Sequence, residues 1–244
     1  MLGLGNSLTG GAALSGLAPN DVADLQIWYK NAANVTAAQW DDSSGNGRHL
    51  VQGTTNRQAA VEDGGLHFTT DGSTNDFYNI TGAGTVGSGD AVQIKHPNPF
   101  TMFVVFKRTG GDGDDNVIVA DDNANNFIGF LDETEMVIHD ATTTFGANTF
   151  ANNEKMLLMI RKDSSGTLTF NKNGAALTIA SGDTASTSTS DFKMDFFAAL
   201  KIGTNNSNDK HFDGNIYEFA VYNKSLTAAE LSGLNAYFQG VHGL

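Results

Sequence analysis

The apolar positions of this chain fall in short runs of period two, separated by clusters of Gly, Asp, Asn and Ser. Such alternation marks strands, and the clusters supply the turns between them. FTMFVVFKR (100–108) is apolar on both alternating sets, Phe103 and Val105 against Met102, Val104 and Phe106, which predicts a strand buried on both faces. MLLMIRK (156–162) has the same character. Shorter strands are predicted at LQIWYK (25–30), AAQWDD (37–42), HLVQG (49–53), GLHFT (65–69) and DFYNI (76–80), and again at NVIVA (116–120), NFIGFL (126–131) and EMVIHD (135–140). TLTFNKNGAALTIA (167–180) reads as a hairpin, because Asn173-Gly174 supplies the two positive φ angles of a type I′ turn. MDFFAALKIG (194–203) and GNIYEFAVYN (214–223) complete the set.

Helical spacing is predicted near the C-terminus. Thr227 and Glu230 form a capping box, and Leu231, Leu234 and Phe238 follow on one helical face. Roughly a dozen strands and one short C-terminal helix predict an all-β fold, a sandwich of two antiparallel sheets. No internal repeat and no linker interrupts residues 21–244, which read as one domain.

Composition fits this picture. The chain has 28 Gly, 3 Pro and, among its 27 acidic residues, 21 Asp against 6 Glu, a turn-rich balance rather than a helical one. Without cysteine there is neither a disulfide scaffold nor a thiolate metal site. A formal net charge of −13 disfavours nucleic acid and anionic membranes as partners.

Residues 1–20, MLGLGNSLTGGAALSGLAPN, carry no charge, and the first basic residue is Lys30, so neither a secretory leader nor a membrane span is expected. Glycine dilutes this arm, and ordering it needs a partner surface. It either folds back on its own domain or docks on a neighbouring subunit, with Leu2, Leu4, Leu8, Leu14 and Leu17 as anchors.

With these residues in view, the body resembles the concanavalin A-like lectin/glucanase superfamily in its laminin-G-like form. HFDGNIYEFAVYNKSLTAAEL (211–231) is similar to that family's closing strand and short helix, and LQIWY, W40-DDSSGNG-RHLVQ and GLHFTTDG are similar to its opening. The resemblance covers about 21–238 and implies a jelly-roll β-sandwich, in which Trp28 and Trp40 occupy core positions. It does not fix a function, because the fold carries lectins, enzymes, adhesion modules and viral structural domains.

Glycosidases of that superfamily carry alternating carboxylates on one strand face, where a pair can act as acid and nucleophile. The nearest stretch is LDETEMVIHD (131–140); Glu133 and Glu135 alternate, but Val137 and His139 follow, so it reads as an acidic hairpin tip and no enzyme is expected. The six histidines lack zinc-ligand spacing. Calcium is the better metal candidate: Asp112, Asp114, Asp115, Asp121 and Asp122 fall within eleven residues, against the plainer reading of a solvated acidic loop. For sugar binding, ATTTFGANTFANN (141–153) reads as an exposed loop with Phe145, Asn148, Phe150 and Asn152 as contacts, and Tyr78 is a further loop aromatic. Glu218, the one charge in its run, reads as a solvated charge on a sheet face.

An adhesion-type sandwich with no leader, no cysteine and an uncharged arm leads to an expected function. The chain is expected to be a non-enzymatic structural protein on a virion exterior, on a phage capsid or tail, assembled as a symmetric homo-oligomer through the arm. The alternative is an extracellular carbohydrate-binding adhesin or lectin that meets host-surface glycans; no cofactor is expected, with calcium the one candidate.

Overall fold

A computed structural model describes residues 17–70, 75–81, 98–110, 116–120, 127–138, 141–182, 201–205 and 207–244. The strands among them are β1 (Leu25–Tyr29), β2 (Gln39–Trp40), β3 (Leu50–Val51), β4 (Ala60–Glu62), β5 (Gly65–Phe68), β6 (Tyr78–Ile80), β7 (Phe100–Arg108), β8 (Asn116–Ala120) and β9 (Phe127–Phe130). They continue with β10 (Glu135–Ile138), β11 (Ala141–Thr144), β12 (Lys155–Lys162), β13 (Leu168–Lys172), β14 (Ala175–Ala176), β15 (Ser181–Gly182), β16 (Lys201–Ile202) and β17 (Gly214–Tyr222). The described residues include one α-helix, α1 (Ala228–His242).

The strands form two antiparallel sheets. The first runs β14-β13-β12-β7-β17-β5-β4, with β1 also paired to β17, and the second runs β15-β11-β10-β9-β8-β16-β6-β3-β2. The main core lies between them. Met102, Val104 and Phe106 of β7 and Leu158 and Ile160 of β12 meet Ile118, Ile128 and Phe130 of the second sheet there, all fully buried. The other face of the first sheet is also apolar, with Phe103, Val105, Leu157 and Met159, and it is covered by Leu234 and Phe238 of α1. This second layer explains why β7 and β12 are apolar on both alternating sets. A strand buried on two faces cannot spare one for polar residues.

The helix forms where the capping box stands. The Thr227 hydroxyl accepts from the Glu230 amide at 3.3 Å, and the Glu230 carboxylate accepts from the Thr227 amide at 2.8 Å. Its last turn stops at Gly243, in the left-handed region at φ 68°. Phe238 stacks on Phe103 with centroids 5.1 Å apart, which fixes the helix over the middle of the sheet. The 173–174 turn has φ of 49° and 80°, the two positive values that a type I′ turn requires. Its tip is tied to the helix, because the Gln239 amide donates to the Asn173 carbonyl.

Pairing of β17 with β7 slips between Ile216 and Glu218. Such a bulge breaks the strict alternation of faces. Ile216 and Phe219 point into the main core, whereas Tyr217 joins the layer under the helix, with Glu218 next to it in the chain. Two consecutive residues between inward-facing neighbours thereby leave the main core, and a carboxylate is carried beneath α1.

Candidate functional site

The chain crosses twice between the sheets along one rim. One crossing, Thr54–Gln58, leads from β3 of the second sheet to β4 of the first; the other, around residues 75–77, leads from β5 back to β6. Gln52 binds the two together: its side-chain amide donates to the Phe77 carbonyl at 2.7 Å, its side-chain oxygen accepts from the Thr54 amide at 2.9 Å, and its main-chain carbonyl accepts from the Gln58 side chain at 2.8 Å. The Phe77 amide also donates to the Arg57 carbonyl. Asp76 Oδ2 accepts from both the amide and the hydroxyl of Thr69 at 2.9 Å.

These bonds hold the walls of an open cleft of about 360 Å³, lined by Thr55, Asn56, Gln58, Ala60, His67, Thr69 and Asp76. The lining is a mixed set of amide, hydroxyl, imidazole and carboxylate groups, so it offers both donors and acceptors. His67 Nδ1 lies 3.5 Å from Glu62, outside the cleft lining.

The outer face of the second sheet lies one residue further along each crossing. Tyr78 and Ile202 point into the core, so Phe77, Asn79 and Lys201 take the outer face by alternation. The guanidinium of Arg57 sits 5.4 Å and the ammonium of Lys201 5.5 Å from the centroid of the same Phe77 ring. Burial, and after it the neighbouring Arg57 charge, push the Lys201 pKa below the usual lysine value. His211 is also held below its usual value: burial and Arg57 lower it, against the raising effects of Asn208 and Asp209.

A second polar cluster is buried under the helix. Glu218 is fully buried and His242 is buried beside it, its Nε2 2.7 Å from Glu218 Oε2. Glu218 Oε1 accepts from Trp28 Nε1 at 2.7 Å and from the Tyr237 hydroxyl at 3.2 Å. Burial, followed by the Glu218 charge, raises the Tyr237 pKa well above the usual tyrosine value. This corrects the reading of Glu218 as a solvated charge. It is a buried acceptor that ties β1, β17 and α1 together.

The glycan loop expected at 141–153 is also corrected. Ala141–Thr144 is strand β11, and Phe145 and Phe150 are core residues, 3% and 0% exposed. Phe150 packs 4.8 Å from Phe130 and 5.3 Å from Phe145, and Phe145 packs 5.3 Å from Phe170, so these rings close the end of the sandwich rather than offering a platform. Asn148 is exposed at φ 57° in the turn, and Asn152 donates to Glu133 at 3.1 Å. Tyr78 is buried too, its hydroxyl donating to the Ala37 carbonyl at 2.6 Å. Trp40 and Trp28 are buried, as the resemblance implies.

Glu133 and Glu135 have separate hydrogen-bond partners. Glu133 is engaged by Asn152, and Glu135 accepts from the Thr144 hydroxyl at 3.1 Å. Asp112, Asp114, Asp115, Asp121 and Asp122 lie outside the described residues, as do Leu2, Leu4, Leu8 and Leu14. Among the described residues no group of three His, Asp or Glu could hold a metal ion, and no helix is long and apolar enough to cross a membrane. Leu17 packs on its own chain: a Cβ built on Gly233 would fall 2.8 Å from its side chain. Pro19 is held beside it by the Tyr222 hydroxyl at 3.0 Å. Leu17 is therefore half-buried against the body of its own chain, the fold-back placement of the two expected for the arm.

Two antiparallel sheets, a shared core, a covering helix and a polar rim cleft define a lectin-like sandwich. The family model of the Concanavalin A-like lectin/glucanases superfamily matches residues 81–232, more than half of the chain, and the chain belongs to that superfamily. No match was found among curated proteins. Among solved structures, Trypanosoma rangeli sialidase is similar with a TM-score of 0.64 at 12% identity, over 94% of this chain and 37% of that one. The binding domain of botulinum neurotoxin DC, solved with rat synaptotagmin II, is similar with a TM-score of 0.61 at 13% identity, over 91% of this chain and 52% of that one. A botulinum neurotoxin type C structure, described as dependent on two ganglioside molecules for cell entry, has a TM-score of 0.59 at 12% identity, over 91% of this chain and 52% of that one. The chain thus spans between a third and about half of these structures, and at such identities the likeness is one of fold.

Proposed function

We propose that this chain is a non-catalytic recognition domain that binds a polyhydroxylated ligand, a glycan, in the rim cleft. The observation that carries this is the convergence of Thr55, Asn56, Gln58, His67, Thr69 and Asp76 on one concave surface held by hydrogen bonds. Sugar hydroxyls both donate and accept, and a mixed polar lining held in place loses little entropy on meeting them. The ganglioside dependence named for the type C neurotoxin supports the ligand class. The separate engagement of Glu133 and Glu135 supports the absence of catalysis. A glycan array probed with the full chain, with and without calcium, tests the proposal. Selective binding to one glycan class with no cleavage is expected, and an empty array in both conditions would refute it.

A second reading rests on the root of the N-terminal arm. Leu17 on Gly233 and Pro19 under Tyr222 give residues 1–16 a fixed point of departure beside α1. On this reading Leu2, Leu4, Leu8 and Leu14 attach the sandwich to a larger particle, a virion exterior, where symmetric copies would multiply weak contacts. Deleting residues 2–16 should then abolish particle association and leave the melting temperature unchanged. Retained association would remove the reading.

A further inference from the structure

We infer that the rim cleft is one end of a longer groove and that its ligand is an extended chain of several neutral sugars, laid from the cleft across the outer face of the first sheet to Lys107 and Lys155. This rests on the reading of the cleft as a glycan site and adds the length and course of what it holds.

His67 joins the two parts. It lines the cleft together with Ala60, its partner on β4. On its other side it pairs with Asn215 of β17, Asn215 pairs with Lys107 of β7, and Lys107 pairs with Lys155 of β12. Side chains paired across neighbouring strands share one face. The adjoining residues on these strands, Leu66, Ile216, Phe106 and Met156, are buried in the main core, so the row stands on the outer face. Five strands from Ala60 to Lys155 span about 19 Å at the usual strand spacing, too long for a single sugar ring.

The row begins where the helix layer ends. Phe103 and Val105 of β7 and Met159 and Leu157 of β12 lie in the layer under α1, and the next outward positions on the two strands are Lys107 and Lys155. Both strands thus turn from apolar to polar together beyond that layer, and His67, Lys107 and Lys155 are half-buried. A solvated strand end accounts for the lysines but not for Asn215. This residue is 1% exposed; its side-chain amide donates to Glu62 at 3.2 Å, and its side-chain oxygen has no hydrogen-bond partner. His67 Nδ1 is likewise buried without a hydrogen bond, 3.5 Å from the same Glu62 carboxylate. Such orphaned groups cost free energy. The Glu62 side chain is 52% exposed and can turn aside for a ligand hydroxyl that supplies the Asn215 oxygen with a donor.

The lysines add donors at the far end. Lys107 makes no hydrogen bond or ion pair with another described residue, and Lys155 is held 4.4 Å over the Tyr217 ring. Both signs of charge are present here: burial, followed by the Asp63 and Glu62 charges, raises the Tyr217 pKa above the usual tyrosine value. Donors and acceptors of mixed charge suit neutral hydroxyls rather than an ion.

The test uses the full chain and linear oligomers of glucose, mannose and galactose, each as the disaccharide and the hexasaccharide, with affinities measured by calorimetry. For at least one sugar the hexasaccharide should bind about tenfold or more tightly than the disaccharide, because contacts along the row add to those in the cleft. K107S/K155S should remove most of that gain and leave the disaccharide affinity as it is, which separates a lost contact from a folding defect. N215A is read the same way, as the ratio of the two affinities, and N56A should weaken both lengths. Equal affinity for the two lengths, weakened alike by N56A, would overturn this inference and leave the cleft reading standing. A length gain that survives in both K107S/K155S and N215A would route the chain elsewhere and overturn the assignment. Binding of none of the oligomers would overturn both readings.

Discussion

Glu218 gives the sharpest stability prediction. Replacing it by alanine strands three buried partners at once: Trp28 Nε1 at 2.7 Å, the Tyr237 hydroxyl at 3.2 Å and His242 Nε2 at 2.7 Å. A buried polar group left without a partner costs about 1–3 kcal/mol, and groups that share one cluster do not add in full. Three such losses together should destabilise Glu218→Ala by about 4 kcal/mol. For a chain of this size each kcal/mol lowers the melting temperature by roughly 2–4 °C, which gives a fall of about 8–16 °C. Glu218→Gln keeps an oxygen for Trp28 and Tyr237 and should cost about half as much. Urea unfolding followed by tryptophan fluorescence reads the effect, because Trp28 reports on the network itself. A loss under about 1 kcal/mol for Glu218→Ala, at an unchanged dependence on urea, would refute the claim that this carboxylate locks the helix to the sheet.

Three further outcomes are expected. Phe150→Ala should cost about 3–5 kcal/mol by opening a cavity beside Phe130 and Phe145, while ligand affinity in the folded protein stays the same; equilibrium unfolding and calorimetry check the two halves. Thr227→Ala removes the helix cap and should cost about 1 kcal/mol in urea unfolding, with protection from hydrogen exchange lost first in the leading turn of α1. His211 has a lowered pKa in the folded chain, chiefly from burial, so the unfolded chain binds its proton first as pH falls below the ordinary histidine value. Stability should therefore drop as the pH is lowered through the window between that value and the lowered one, level off below it, and lose this component in His211→Gln; denaturation midpoints from pH 7 to pH 5 measure it.

Much of the fold was legible from the residues. The two-sided apolarity of 100–108 and 156–162, the Asn173-Gly174 turn and the Thr227–Glu230 capping box each state a local rule that the tertiary structure obeys. The sites were less so, for identifiable reasons. Glu218 reads as solvated because a lone charge in an apolar run is expected to face water, yet a helix that starts ten residues later in the chain covers that face of the sheet. Phe145 and Phe150 sit among Thr, Gly and Asn, the composition of an exposed loop, yet a sandwich end needs a plug and these rings supply it. The cleft has no local signature. Its residues come from a single turn at 55–58, from β5 and its end at 67–69, and from a crossing at 76, and only the pairing of β3 with β6 and of β4 with β5 brings them together.

The central claim is that the rim cleft recognises a saccharide without cleaving it. The most direct measurement is a calorimetric titration of the array-selected glycan into the native chain and into the double variant Asn56→Ala/His67→Ala, with the glycan recovered afterwards for mass analysis. Saturable binding to the native chain is expected, with at least tenfold weaker binding to the variant, a difference of about 1.4 kcal/mol or more, and intact glycan from both. Equal affinity in the two proteins, or recovery of shortened glycan from the native chain, would contradict it.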